Sequence, residues 1–347
     1  MSIPNRGKIQ TVLGLVEKDS LGPTLTHEHL LIDFSVVFQE PLAASERGLA
    51  TEPVSLDNLG WVKYDSFRNA DNLGLLDEET SIAEVLLFKA AGGGTIVDTT
   101  TIGIGRDPKA IARIARRTGL NIVIGAGYYV GASHPDDMSQ KSEHVIKEEI
   151  INEIVEGYGG IKSGIIGELG CSWPLWENEK KVLKAGALAQ LETGASIVIH
   201  PGRNEEAPFE ILDILANAGA NVENVVIGHI GRTYINIDRL LQLADTGCFL
   251  AYDQIGWESS NFSLAPTDFP SDAQRIDFIK TLVDNGYGKQ VLVGHDVCSK
   301  DKLVKYGGLG FAHILDNIAP RMVSAGISPE DVQAILVNTP ADMLSLT

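Results

Sequence analysis

Eight short, nearly unbroken apolar runs recur along this chain, and each is followed by a loop or a segment with helical spacing. They occupy residues 24–28, 94–99, 121–126, 164–168, 196–200, 225–229, 248–252 and 290–294. Several are rich in β-branched residues and nearly continuously apolar, as in TIVDTT, NIVIGA, SIVIH, NVVIGH and QVLVGH. Strands covered on both faces read this way, and such strands belong to parallel sheets. Segments 109–118, 143–156, 181–193, 209–218 and 271–285 carry the intervening helical patterns. Ser81 and Glu84 form a capping-box pair that predicts a helix start at Ser81, with Gly92, Gly93 and Gly94 as its stop. Eight βα units in one chain favour a closed (β/α)8 TIM barrel over an open doubly wound sheet, which periodicity alone leaves open. No Gly-rich GxGxxG turn follows the first run, which weakens a dinucleotide-binding alternative.

A length of 347 residues suits a single barrel domain spanning 1–347. One stretch breaks the rhythm. Residues 32–76 form an insertion after the first strand, on the side where it would reach the barrel's mouth. It reads as a lid-like cover or, equally, as a plain surface loop.

Charge and cysteine content narrow the function. The net charge of −18 gives no basic footprint for nucleic acid. No apolar stretch is long enough for a membrane span, and the N-terminus has no leader pattern. Cys171, Cys248 and Cys298 are odd in number and far apart, so neither a disulfide framework nor a CxxC knuckle is expected. Together these point to a reducing, cytoplasmic setting and a small-molecule partner.

Candidate chemistry gathers where barrel enzymes keep it, at the C-terminal ends of strands. His27 and His29 end the first run and, two residues apart, project to one side, with Glu28 facing away. Glu168 ends the fourth run, His200 the fifth and His229 the sixth, and Asp296 follows the eighth. A lone histidine at a strand end is usually a hydrogen-bonded core or surface residue. Four of them with two carboxylates on five strands make a metal-ligand set, suited to zinc or a similar transition ion. His134, His144 and His313 fall in loops or helices and read as structural. His295 is open between a supporting role and none.

The stretches QTVLGLVE, LGPTLTHEHL, GGGTIVDTTT, GIIGELGCSWPL, VIHPGR, GHIGRT and LVGHD carry a resemblance along nearly the whole chain. The chain resembles the amidohydrolase superfamily and, within it, the phosphotriesterase-related proteins of animals. The resemblance implies two divalent metal ions, with zinc the default. His27, His29 and Asp296 would match the ligands of the buried ion, and His200 and His229 those of the exposed one. Glu168 would stand where other members bridge the ions with a carbamylated lysine. Lys162 lies at the other end of that strand and is a poor rival. Such paired ions make water nucleophilic at neutral pH, and Asp296 is then the expected catalytic proton acceptor.

The implied reaction is hydrolysis of N-acetyltaurine to taurine and acetate. Arg203 and Arg232 are candidates for an anion clamp, with a structural salt bridge as the competing reading. Tyr128, Tyr129 and Trp173 either wall the pocket or pack under the insertion, and Lys305 and Tyr306 have weaker claims. Alternatives are a phosphotriesterase or lactonase with a larger, more apolar pocket, and a non-catalytic binding barrel. The resemblance also implies a homodimer.

Overall fold

A computed structural model describes residues 5–258, 261–264 and 269–347. Its central sheet has eight strands: β1 (Thr24–Glu28), β2 (Thr95–Asp98), β3 (Asn121–Ala126), β4 (Ile165–Gly170), β5 (Ile197–His200), β6 (Val225–Ile227), β7 (Phe249–Tyr252) and β8 (Val291–Val293). Each pairs in parallel with the next in sequence, in the order β1 to β8. The two ends of that order meet at a seam, where Thr26 Oγ1 donates to Val293 O at 3.0 Å. The architecture is that of a (β/α)8 barrel, as the alternating runs predict.

Strand parity explains why the runs are continuously apolar. Val97, Val123, Ile165, Val198, Val226 and Leu292 point into the lumen, closed from below by Ile9, Leu21 and Met343. Their neighbours Ile96, Ile122, Ile166, Ile197, Ile227 and Val293 point outward and pack under the helices. Nearly every strand position is therefore buried, and each such Val or Ile stabilises the fold by about 1.5–3 kcal/mol.

Helix starts differ from expectation in two places. The helix predicted from Ser81 begins a turn earlier, as Glu78–Ala90, because Asp77 accepts from Thr80 N at 3.1 Å and takes the cap. Glu84, expected to face its own helix start, instead accepts from Val304 N (2.9 Å) and Lys305 N (2.8 Å). The helix expected over 181–193 runs from Glu177 to Thr193, since Glu179 folds back to accept from Trp176 N at 2.9 Å.

Residues 32–76 are tied down at both ends. Ile32–Asp33 pairs antiparallel with Gly74–Leu75, and the short helix Leu59–Tyr64 lies between. Asp301, just beyond β8, accepts from Asn72 Nδ2 (2.9 Å) and Ser66 Oγ (3.3 Å). Among the described residues, no helix is long and apolar enough to cross a membrane.

Candidate metal centre

The six residues singled out as ligands meet at the rim formed by the C-terminal ends of the strands. His27 lies on β1 with His29 just beyond it, Glu168 lies within β4, and His200 closes β5. His229 and Asp296 follow β6 and β8 on backbone turned into the left-handed region, at φ 56° and 51°. That conformation costs a non-glycine residue about 1–2 kcal/mol, and such strain gathers at sites where geometry is imposed. Gly228 precedes His229 because a Cβ there would stand 2.8 Å from Ile199 O and 3.0 Å from Asp253 Oδ2.

Glu168 is the hub. Its Oε2 lies 3.5 Å from His27 Nε2, 3.3 Å from His200 Nδ1 and 3.6 Å from His229 Nε2, while its Oε1 is 3.6 Å from His29 Nε2. Asp296 Oδ1 lies 3.4 Å from His29 Nε2 and 3.9 Å from His27 Nε2. Most of these separations are long for hydrogen bonds. They match the spacing of about 3.4 Å between two donors that share a tetrahedral ion at about 2.1 Å each. His27 Nε2 and Glu168 Oε2 are buried without a hydrogen-bond partner among the described residues. A cation would satisfy both, so these residues fit the metals that the donor set implies. Two groupings place ligand atoms within 4.8 Å of one another: His27, Glu168 and His229, and His27, His29 and Asp296. His200 is in neither, although its Nδ1 is 2.8 Å from His229 Nε2.

Electrostatics bind the cluster tightly. Burial alone would raise the Glu168 pKa, but the charge on His27 and the imidazoles of His200 and His229 hold it well below the usual carboxylate range. Burial opposes a charge on His27, yet Glu168 and Asp253 outweigh it and hold His27 well above an ordinary imidazole. His200 goes the other way, pushed down to about 3 by burial and then by the charge of His229.

Three supporting residues escaped the sequence reading. Asp253, directly after β7, puts Oδ1 2.9 Å from His229 Nδ1 and Oδ2 3.0 Å from His27 Nδ1. Its signal was available, since it is a carboxylate ending an apolar run like the others. Gln254 Nε2 donates to Asp296 Oδ2 at 3.1 Å. His29 is oriented by Thr100, whose Oγ1 donates to Leu31 O (3.3 Å) and so accepts from His29 Nδ1 at 2.9 Å. This leaves His29 Nε2 facing the cluster with a free lone pair.

The substrate-side residues divide. Arg203 and Arg232 line the cavity beside Glu168, His200 and Asp296, which leaves about 20 Å³, room for roughly one water. Neither has an ion-pair partner among the described residues. Arg232 Nη2 donates to Pro201 O at 3.1 Å, and burial, with Arg203 beside it, lowers its pKa to about 9. Trp173 lines an adjoining vestibule of about 530 Å³ with Arg203, His200 and Tyr129. Tyr128 does not face the cluster. Its hydroxyl bonds Glu149 (2.5 Å) and Lys141 (3.2 Å), away from the pocket. Successive residues on extended backbone point to opposite sides, so it is Tyr129 that turns inward, 3.2 Å from His200 Nδ1.

A family model described as the phosphotriesterase family matches residues 7–344. The chain belongs to that family. Among curated relatives, the N-acetyltaurine hydrolase of Xenopus tropicalis is 45% identical over 343 residues, 98% of each chain. Among solved structures, a resiniferatoxin-binding protein from Rhodobacter sphaeroides has a TM-score of 0.96 at 34% identity, over 99% of this chain and 97% of that one. A lactonase from Listeria monocytogenes has a TM-score of 0.79 at 26% identity, over 98% and 99%. This is a family of metal-dependent hydrolases, which agrees with the cluster of His, Glu and Asp at the barrel rim.

Proposed function

We propose that this chain hydrolyses the C–N bond of small anionic N-acyl compounds, N-acetyltaurine first among them, releasing acetate and taurine. The observation that carries the reading is the Arg203–Arg232 pair. Both line the cavity of the ligand cluster, each with a buried N–H group that lacks a partner among the described residues. A buried Arg232 beside a half-buried Arg203 is costly unless an anion answers them, and a sulfonate offers three acceptor oxygens to such a pair. The Xenopus relative's name supports the same substrate.

In this reading His27, His29 and Asp296 would hold one divalent ion, and His200 and His229 a second, with Glu168 available to both. Zinc suits these nitrogen and oxygen donors. Bound there, the ions would polarise the acyl carbonyl and bring the pKa of water from 15.7 toward ~7. Arg203 and Arg232 fix the sulfonate end, which aims the acyl carbon at the cluster. Asp296, oriented by the bond from Gln254 Nε2 to its Oδ2, takes the proton released as water adds to the acyl carbon. A C–O bond forms and the C–N bond breaks. Asp296 returns the proton to the nitrogen, which leaves as an amine. Phe34 and Phe67, from residues 32–76, wall the same cavity, so the insertion serves as the cover that keeps bulk water out.

Purified protein given N-acetyltaurine, a simple lactone and a phosphotriester in parallel tests the reading. Taurine release that stops with a chelator and returns with a divalent metal is the expected result. Preference for the lactone would replace it with a lactonase, in line with the Listeria relative. Metal-replete protein that turns over none of the three would leave a binding protein. A homodimer has no support in the comparisons and forms no part of this reading.

A further inference from the structure

The sharp turn that carries Asp296 is held from outside the ligand cluster. Asp296 adopts a left-handed backbone, and a non-glycine residue stays there only when its neighbours over-determine it. Three backbone N–H groups fix this turn. His295 N donates to Glu28 Oε1 at 2.8 Å, Val297 N donates to Glu28 Oε2 at 3.1 Å, and Asp296 N donates to His27 O at 3.1 Å. One carboxylate thus grips the backbone on both sides of Asp296. Glu28 lies on β1 between His27 and His29, is fully buried, and points to the opposite face from them.

His295 completes the grip. Its Nδ1 donates to Glu28 Oε1 at 2.8 Å, and its Nε2 accepts from Ile314 N at 3.1 Å. The seam needs such a device. Among the described residues β1 and β8 share no backbone ladder, while every other neighbouring pair of strands does. In place of a ladder, the β8 end of the centre is tied to the β1 end by the Thr26–Val293 and Asp296–His27 bonds and by the two bonds to Glu28.

We propose that Glu28 is a positioning residue: by accepting the N–H groups that flank Asp296, it locks that carboxylate in register with His27 and His29 across the seam. The inference rests on the reading of Asp296 as a metal ligand and proton acceptor. It also explains why a buried acid stands between two imidazoles of the centre without facing it.

Glu28→Gln is the test, because the amide keeps one acceptor and turns an NH₂ toward an N–H donor. Affinity for Co²⁺ is measured by chelator competition, together with the visible spectrum of the Co²⁺ form and steady-state kinetics. The expected result is metal binding about 10- to 100-fold weaker and an altered Co²⁺ spectrum, with kcat reduced and KM unchanged. Thr26→Val is the control, since it removes the seam bond to Val293 without touching the turn. It should lower the melting temperature and leave metal affinity and kcat as in wild type. Glu28→Asp, with its oxygens drawn back by one methylene, should show the same pattern if Glu28→Gln does not fold.

Wild-type affinity, spectrum and kcat in a folded Glu28 variant would overturn the proposal, as would an equal loss of metal affinity in Thr26→Val. A wild-type protein that binds no Co²⁺ would instead overturn the reading of the centre.

Discussion

Asp253 Oδ1 meets His229 twice, accepting from its backbone N–H at 2.8 Å and lying 2.9 Å from its ring Nδ1. The second oxygen lies 3.0 Å from His27 Nδ1, so one buried carboxylate turns Nε2 of two imidazoles toward Glu168. Ring orientation and basicity of metal-binding histidines depend on such partners. Asp253→Asn should therefore weaken divalent metal binding about 10- to 100-fold, read by chelator competition. Unchanged affinity would show that the two rings are held by packing alone.

Asp296→Asn keeps the size of the side chain and removes its capacity to take a proton. The expected outcome is a native circular-dichroism spectrum with kcat lowered by at least ~10²-fold, the low end for general acid–base catalysis. Near-normal turnover in metal-replete variant would assign the proton transfer elsewhere.

Arg203 and Arg232 should act on the anion and not on the chemistry. Arg203→Met should raise KM for N-acetyltaurine about 10- to 100-fold, the range of a lost charge-assisted contact, with a smaller change in kcat. An N-acetyl amine without the sulfonate should show little difference between wild type and variant. Equal losses on both substrates would mean that Arg203 supports the pocket wall and does not read the anion.

Asp272, outside the ligand set, provides a pH signature of its own. Arg275 Nη1 donates to it at 2.8 Å, Gly256 N donates at 2.9 Å, and His313 Nε2 lies 3.0 Å away. Burial alone would raise its pKa, but the bonds from His313, Gly256 and Arg275 bring it down to about 2. A carboxylate lowered in the folded state stabilises the protein fully above its unfolded value near ~3.9, and that contribution fades as pH falls toward the folded value. Asp272→Asn should cost about 2 kcal/mol or more at pH 7, because buried Arg275 also loses its partner. The gap from wild type should narrow as pH drops below ~4, followed by urea unfolding of metal-stripped protein. A gap independent of pH would show that packing, not charge, is what Asp272 supplies.

Much of the barrel and its rim was legible because one physical rule wrote both. A strand buried on two faces must be apolar along its length, so a polar residue at its end stands out, and His200 and Glu168 were visible for that reason. Asp253 obeys the same rule, one residue beyond the seventh run. Tyr128 and Tyr129 could not be separated, since beyond a strand end nothing local fixes which of two adjacent side chains turns inward. The Glu78–Ala90 helix start was misplaced because Ser81 and Glu84 satisfy the capping pattern while Asp77, a turn earlier, makes the cap, and Glu84 serves the loop after β8.

Residue order alone therefore determined the eight barrel strands, their parallel pairing and six of the polar side chains at the rim, since these follow from apolar periodicity and chain connectivity. Distances across the barrel belong to the folded molecule. The convergence of four imidazoles on Glu168, the shared grip of Asp253, the meeting of Arg203 and Arg232 at one cavity, and the hold of Glu28 on the turn at Asp296 all join residues far apart in the chain. Closure of the sheet brings them together, and no local pattern encodes how closely two distant side chains will approach.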